Sequence, residues 1–351
     1  MNEAFRQALV TGCECLTAWA DLLDRINVFP IADGDTGRNL VTSLSPLRCP
    51  GRNIGALKKN LLLSARGNSG NITAAFFQAF IEGDTRETLS GAIRKGRDQA
   101  WQAVPDPRPG TMLTFFDALA DLFHDSQSFQ NHPECLRRLQ NTVRLTVNQQ
   151  PKLQQAGVVD AGALGMYLFF SGFLPAYAGS ALVMQPVMET FGNLVRISSS
   201  YRNEPENGYC VDTILKTGAD REQVEAMLAS LGESVVVARE ENCLKVHFHT
   251  DNREASRTRL SPFGEILGWE EDDLYSQTLA FNRPRKRRPI HIMTDAAGSL
   301  TREEAKDRDI TLLDSYITIG DQSLPETYVT TEALYKAMRS GIRVSTSQAS
   351  V

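Results

Sequence analysis

Along the first 200 residues the apolar positions recur at helical intervals. Phe5, Leu9, Leu16, Trp19, Leu23 and Ile26 fall three, four or seven apart and predict one amphipathic helix. Asn27-Val-Phe-Pro30 ends it, because a proline ring fixes φ and disfavours helix in the residue before it. The same period predicts helices near 54–66, 71–82, 86–103, 111–123, 134–147 and 160–174. Strict alternation is absent from this half, which therefore reads as all-α. After residue 200 the period shortens. Val211–Lys216 reads as a strand, and Asp220 as the cap of a helix over 221–231, with Gln223 in the capping-box position and Gly232 at the stop. Val235–Ala238 and Leu244–His249 read as a hairpin about Glu240-Glu-Asn242. Further on, Ile290–Met293, a helix capped by Thr301 with Glu304, and Ile310–Ile319 read as the opening β-α-β of a parallel sheet.

A length of 351 residues corresponds to about 2.3 domains. The pattern divides them into an all-α domain (1–200), a small α/β middle domain (201–282), a basic linker (283–289) and a third α/β segment (290–351). A hydrophobic share of 42% and a charged share of 23% exclude a disordered chain, a collagen-like repeat and a disulfide scaffold. A net charge of −5 gives no basic excess for nucleic acid, and the basic run at 283–289 reads as a solvated linker. Six cysteines without a C-x-x-C pair, and an N-terminus without an apolar h-region, fit a reduced cytoplasmic setting. Ala161–Met188 carries no charge, but its four glycines and Pro175 favour a buried helix and an apolar turn over a transmembrane segment. The sequence leaves oligomeric state open, a homodimer included.

Chemistry enters first at INVFPIADGDTGRN (26–39). Asp33 and Asp35 stand two apart in a glycine-punctuated loop, so both carboxylates can face one cation of the Mg²⁺ kind. An EF-hand fails, because its fifth, sixth and twelfth positions would be Gly37, Arg38 and Leu44. A plain Asp-Gly turn is the rival. A second loop, Arg66-Gly-Asn-Ser-Gly-Asn71, sets Asn68, Ser69 and Gly70 at a helix N-terminus, where unpaired N–H groups attract anions. It is not a P-loop, and an ordinary helix connector has the same composition. A third set lies in the middle domain. Lys245, His247 and His249 share one strand face, with Cys210 and Asp212 on one face of another strand. That set suits Zn²⁺ or another transition metal, with a catalytic histidine as the competing role.

Four stretches, NVFPIADGDTG (27–37), ARGNSGN (65–71), PGTMLT (109–114) and GVVDAGALG (157–165), resemble in order and spacing the DhaL or Dak2 domain. That domain is the ATP-binding half of dihydroxyacetone kinases and of bacterial fatty acid kinase. The resemblance implies a barrel of eight antiparallel helices with ATP or ADP at one mouth. It implies Mg²⁺ on Asp33 and Asp35 with Asn27, and phosphates on Ser69 with the backbone of Asn68 and Gly70. Gly110, Thr111, Asp160 and Gly162 would line the nucleotide pocket, with Arg38 and Asn39 beside it. Two departures stand out: Arg38 replaces a usual threonine, and GALG a usual GGQG.

NGYC (207–210) and VHFHT (246–250) resemble the middle domain of fatty acid kinase, which implies a metal site or the acceptor end for His247 and His249. TDAAGSL (294–300) and STSQAS (345–350) resemble the start of the DegV family of fatty-acid-binding proteins. By that resemblance Asp295, Thr346 and Ser347 would meet a fatty-acid carboxylate. With about a fifth of such a domain present, the expectation is that this chain alone holds no lipid. The combined expectation is a Mg²⁺- and ATP-dependent kinase acting on a fatty acid that a DegV-type carrier presents in cis or in trans. Asp33, Asp35, His247 and His249 would be its catalytic residues. A dihydroxyacetone-type kinase and a non-catalytic nucleotide-binding regulator are the alternatives.

Overall fold

The computed structural model describes residues 1–123, 131–182, 186–282, 290, 292–295, 300–320 and 322–347. The expected linker at 283–289 lies outside them.

The first apolar stripe folds as two helices, α1 (Glu3–Thr17) and α2 (Ala20–Ile26). Trp19 leaves helical geometry at φ −118° and ψ 10°. Periodicity hides this break because residues on both sides stay inward. The DGDTGRN stretch, a loop by its composition, opens α3 (Thr36–Leu44), whose buried Leu40, Val41 and Leu44 form its inner stripe. Six further helices follow: α4 (Ile54–Ser64), α5 (Gly67–Phe80), α6 (Arg86–Gln102), α7 (Met112–Leu122), α8 (His132–Leu145) and α9 (Pro151–Ala156). α10 (Ala161–Ala178) and α11 (Val187–Phe191) complete this part. α10 packs against α1, α2, α3, α7 and α8, so it forms the centre of the domain. Among the described residues it is the one helix long and apolar enough to cross a membrane, and 83% of it is buried in protein. It runs past Pro175, beyond the stop near 174 that its sequence predicts. The missing N–H costs one bond, and the end comes at Gly179, which caps the helix at φ 69°. Phe76 and Phe116 stack with centroids 4.0 Å apart, and Phe80, Phe169, Phe170 and Phe173 extend the aromatic core.

The middle domain is an antiparallel sheet in the order β2-β3-β1-β4. Its elements are β1 (Tyr209–Lys216), α12 (Arg221–Ala229), β2 (Glu233–Glu240), β3 (Cys243–Thr250), α13 (Arg253–Leu260), β4 (Glu265–Asp273) and α14 (Leu274–Phe281). Asp220 stands at the expected cap of α12 but makes no side-chain cap bond. Leu244, Val246 and Phe248 bury one face of β3 with Val224, Leu228 and Leu260. From β2, Val236 and Ala238 join the core of the helical domain instead. The Val237 N–H donates to the Ala103 carbonyl at 2.9 Å across the same junction.

In the third segment β5 (Ile292–Asp295) and β6 (Ile310–Leu313) pair in parallel, as the β-α-β reading requires. Between them α15 (Arg302–Arg308) has the expected Thr301/Glu304 capping box. The strand expected over 310–319 is two strands in two sheets. Asp314 and Ser315 turn the chain, accepting bonds from the Thr327 and Glu326 N–H groups. β7 (Tyr316–Ile319) then pairs antiparallel with β8 (Gln322–Pro325) and β9 (Val344–Ser347), the latter following α16 (Thr331–Arg339).

Candidate functional site

The N-termini of α3, α5, α7 and α10 converge on a cavity of about 400 Å³. Asp35 and Thr36, then Asn68 and Ser69, then Thr111, then Asp160 and Gly162 line it from those four ends. The facing wall is the middle sheet, with Cys210, His247, His249 and the turn into β2 at Gly232–Val235. Four sets of N-terminal N–H groups aimed at one space favour an anionic ligand.

The four ends are capped in two ways. α7 and α10 are capped locally, by Thr111 on the Leu113 N–H (3.3 Å) and by Asp160 on the Ala163 N–H (2.7 Å). α3 and α5 receive no such bond from their own caps, Asp35 and Arg66. Asp24 of α2 accepts instead from the Gly37 and Arg38 N–H groups, at 2.7 and 3.2 Å. Asp212 of β1 accepts from the Gly67 N–H at 2.9 Å. This leaves the Asp35 carboxylate turned to the cavity. Two glycines make the crowding tolerable: a Cβ on Gly37 would lie 2.0 Å from the Ala20 carbonyl oxygen, and one on Gly70 2.1 Å from Ser43 Oγ.

Asp33 and Asp35 share the metal-type loop. Burial, and then Asp35 beside it, push the Asp33 carboxyl well above the usual carboxylate range. A bound cation would remove that repulsion. Asn27, expected as a third ligand, instead spans the loop: its amide donates to Asp33 and its oxygen accepts from Thr36 Oγ1 at 2.7 Å. Arg38 turns away from the 400 Å³ cavity and lines a separate one of about 120 Å³, with Asp24 and Arg302. Asn39 packs under Gly67. Gly70 and Gly110 sit behind the cavity wall, the latter at φ 79° against Gln149. Burial raises the Asp160 carboxyl to about 7 despite three backbone N–H donors.

On the middle sheet Cys210 pairs across strands with His249, and Asp212 with His247. Ligand atoms of Cys210, His247 and His249 all lie within 4.8 Å of one another, with Cys210 Sγ 3.9 Å from His247 Nδ1. His247 Nε2, His249 Nδ1 and Asn68 Oδ1 are buried with no hydrogen-bond partner, the condition of groups awaiting a ligand. Burial, then His247, push His249 down to about 3. Burial and the surrounding carboxylates raise the Cys210 thiol well above its ordinary value. Asp212 falls outside this set: its oxygens are taken by Gly67, Asn71 and Lys245. Sequence reasoning missed Asp24 and the turn at Ser234, a non-glycine residue at φ 54°. Alternation on β3 carried the signal for Lys245.

Asp295 ends β5, whereas Thr346 and Ser347 lie on β9 of the other sheet, and all three are exposed. Of the motif stretches, residues 296–299 and 348–350 lie outside the described residues.

Three family models match in order: the DAK2 domain over 30–175, the FakA-like middle domain of fatty acid kinase over 206–279, and the DegV family over 289–351. An uncharacterized protein of Staphylococcus saprophyticus is 27% identical over 308 residues, 79% of this chain and 55% of its own length. Uncharacterized proteins of Staphylococcus haemolyticus and Staphylococcus aureus are each 26% identical, again over 79% of this chain. The chain thus spans about half the length of these relatives. The domains are of kinase type and imply nucleotide use in general. A DAK2 domain, a FakA-like middle domain and a DegV-family segment in that order match a fatty acid kinase-type architecture.

Proposed function

We propose that this chain is a Mg²⁺- and ATP-dependent phosphotransferase whose acceptor is a fatty-acid carboxylate held by a DegV-type carrier, giving an acyl phosphate. The observation that carries the reading is the convergence of four helix N-termini, one of them carrying a repelling carboxylate pair, on one cavity. Phosphoryl transfer asks mainly for positioning and charge neutralisation, and both are built here. Asp33 and Asp35 would hold Mg²⁺, which supplies charge neutralisation at the phosphates when bound. Asn68 and Ser69, at the start of α5, offer backbone N–H groups to phosphate oxygens. Ile72, Met112 and Leu113 give the cavity an apolar wall for a base.

The Cys210, His247 and His249 set fits Zn²⁺ by donor chemistry and spacing. When bound there, the ion would supply a Lewis acid for an acceptor oxygen. A histidine with its pKa pushed down to about 3 is poorly matched to general-base work near neutral pH, which favours the ligand role for His249.

Titration calorimetry tests the assignment. Asp35→Ala should remove Mg²⁺-dependent ATP binding, and an unchanged ATP affinity would overturn it. ADP release only in the presence of a lipid-loaded DegV-type carrier supports the acceptor. ATP binding without turnover in that mixture would make the chain a nucleotide-binding regulator.

A further inference from the structure

We propose that Asp212 is a positioning residue that makes the middle domain a structural part of the phosphate-binding end of α5. The proposal rests on the nucleotide reading above only for its effect on ATP affinity. Asp212 is 8% exposed and stands on β1, in the other domain from the helix it caps. One carboxylate oxygen accepts the Gly67 N–H at 2.9 Å, and the other accepts Asn71 Nδ2 at 3.0 Å. From its own sheet, Lys245 Nζ lies 3.6 Å away and His247 Nδ1 3.5 Å away. The same carboxylate therefore touches the first turn of α5 and the histidine face of β3.

Its cross-strand neighbour repeats the grip. Glu270 sits opposite Asp212 in the β1–β4 register and binds the Arg66 guanidinium through two contacts, 2.5 and 2.6 Å long. Arg66 and Gly67, the first residues of the phosphate-type turn, are thus held by adjacent acidic residues of one sheet. From behind, α3 fixes the same turn: Gly67 is at φ 60°, and a Cβ there would lie 2.2 Å from Asn39 Nδ2. Parting the domains would strip a buried carboxylate of its donors and leave α5 uncapped. The Asn68 and Ser69 N–H groups keep their direction only while the sheet stays docked. Both Asp212 oxygens are engaged by donors, so Asp212 supports His247 rather than joining Cys210, His247 and His249 as a ligand.

Hydrogen–deuterium exchange on the nucleotide-free full chain, with ATP calorimetry alongside, tests this. Asp212→Ala should speed exchange at residues 67–71 and weaken MgATP binding, each about tenfold. Asp212→Asn keeps an oxygen for the Gly67 N–H and should recover both to within about threefold of the parent. Parent-like exchange at 67–71 in Asp212→Ala overturns the proposal, as does a loss that Asp212→Asn fails to recover. Should Asp212→Ala not fold, Asn71→Ala replaces it. That variant should speed exchange across the junction at 245–249, and unchanged exchange there is the overturning result. The exchange readout needs no nucleotide. A chain that loosens as expected yet binds no ATP keeps the clamp and loses the kinase reading.

Discussion

The helical domain meets the rest of the chain at two surfaces built on different physics. Toward the middle sheet the junction is core: Val236 is fully buried among helical-domain residues, Ala238 is 4% exposed, and Asp212 is hydrogen-bonded inside. Toward the third segment the junction mixes ion pairs and hydrogen bonds with two tyrosines, Tyr316 at 5% exposed and Tyr328 packed against the helical core. Arg302 pairs with Asp21 at 2.8 Å, the Arg48 guanidinium lies 3.7 Å over the Tyr316 ring, and Gln322 donates to Ser64 at 2.6 Å. Only the first surface delivers side chains to the 400 Å³ cavity; the second encloses a smaller one behind the metal-type loop. The middle domain is therefore a component of the site, whereas the third segment is attached beside it.

The sharpest way to break this contrast is a charge in the first junction. Val236→Asp should cost about 5 kcal/mol, because an unpaired carboxylate would sit in the shared core. A loss below about 1 kcal/mol in denaturant melts would show that the sheet merely rests on the helices.

A smaller effect comes from Asp160, on the same cavity. Its folded pKa is raised to about 7 from 3.8, so the folded state binds the proton more tightly. Stability from this group is full below the unfolded value and is lost as pH rises through the folded one. Asp160→Asn keeps the helix cap and removes the titration. Between about pH 4 and 7 the parent should lose about 2–4 kcal/mol relative to the variant. Parallel pH profiles would place Asp160 in contact with water.

Smallest is the second junction. Arg302→Ala should cost about 1–2 kcal/mol, because a mostly buried guanidinium loses both Asp21 and Asp314, with ATP affinity unchanged. A large effect on ATP binding would make the third segment part of the site after all.

Much of this was legible in the residues. DGD, GNSG and H-x-H each name a chemistry, and all three line one cavity. Their meeting was not legible, because it depends on β3 docking against α5, some 180 positions away in sequence. Short-range pattern also misjudged direction. Arg38 lies next to the metal-type loop, yet the approach of Gly37 to Ala20 turns α3 so that its side chain leaves the cavity. Gly70, expected at the phosphates, and Gly110, expected in the nucleotide pocket, stand close against Ser43 and Gln149. Alternation groups Asp212 with Cys210, correctly for its face, but its donors come from another domain. The strand expected over 310–319 failed for a local reason, the Asp314-Ser315 turn, which sits inside an otherwise apolar run.

The cap on α5 also sets an order of events during synthesis. The helical domain leaves the ribosome first, and at that stage the Gly67 N–H has no carboxylate to meet. Asp212 emerges about 145 residues later, and its own supports, Lys245 and His247, later still. A growing chain can therefore pack most of its helices long before the hairpin arrives to complete the cap on α5.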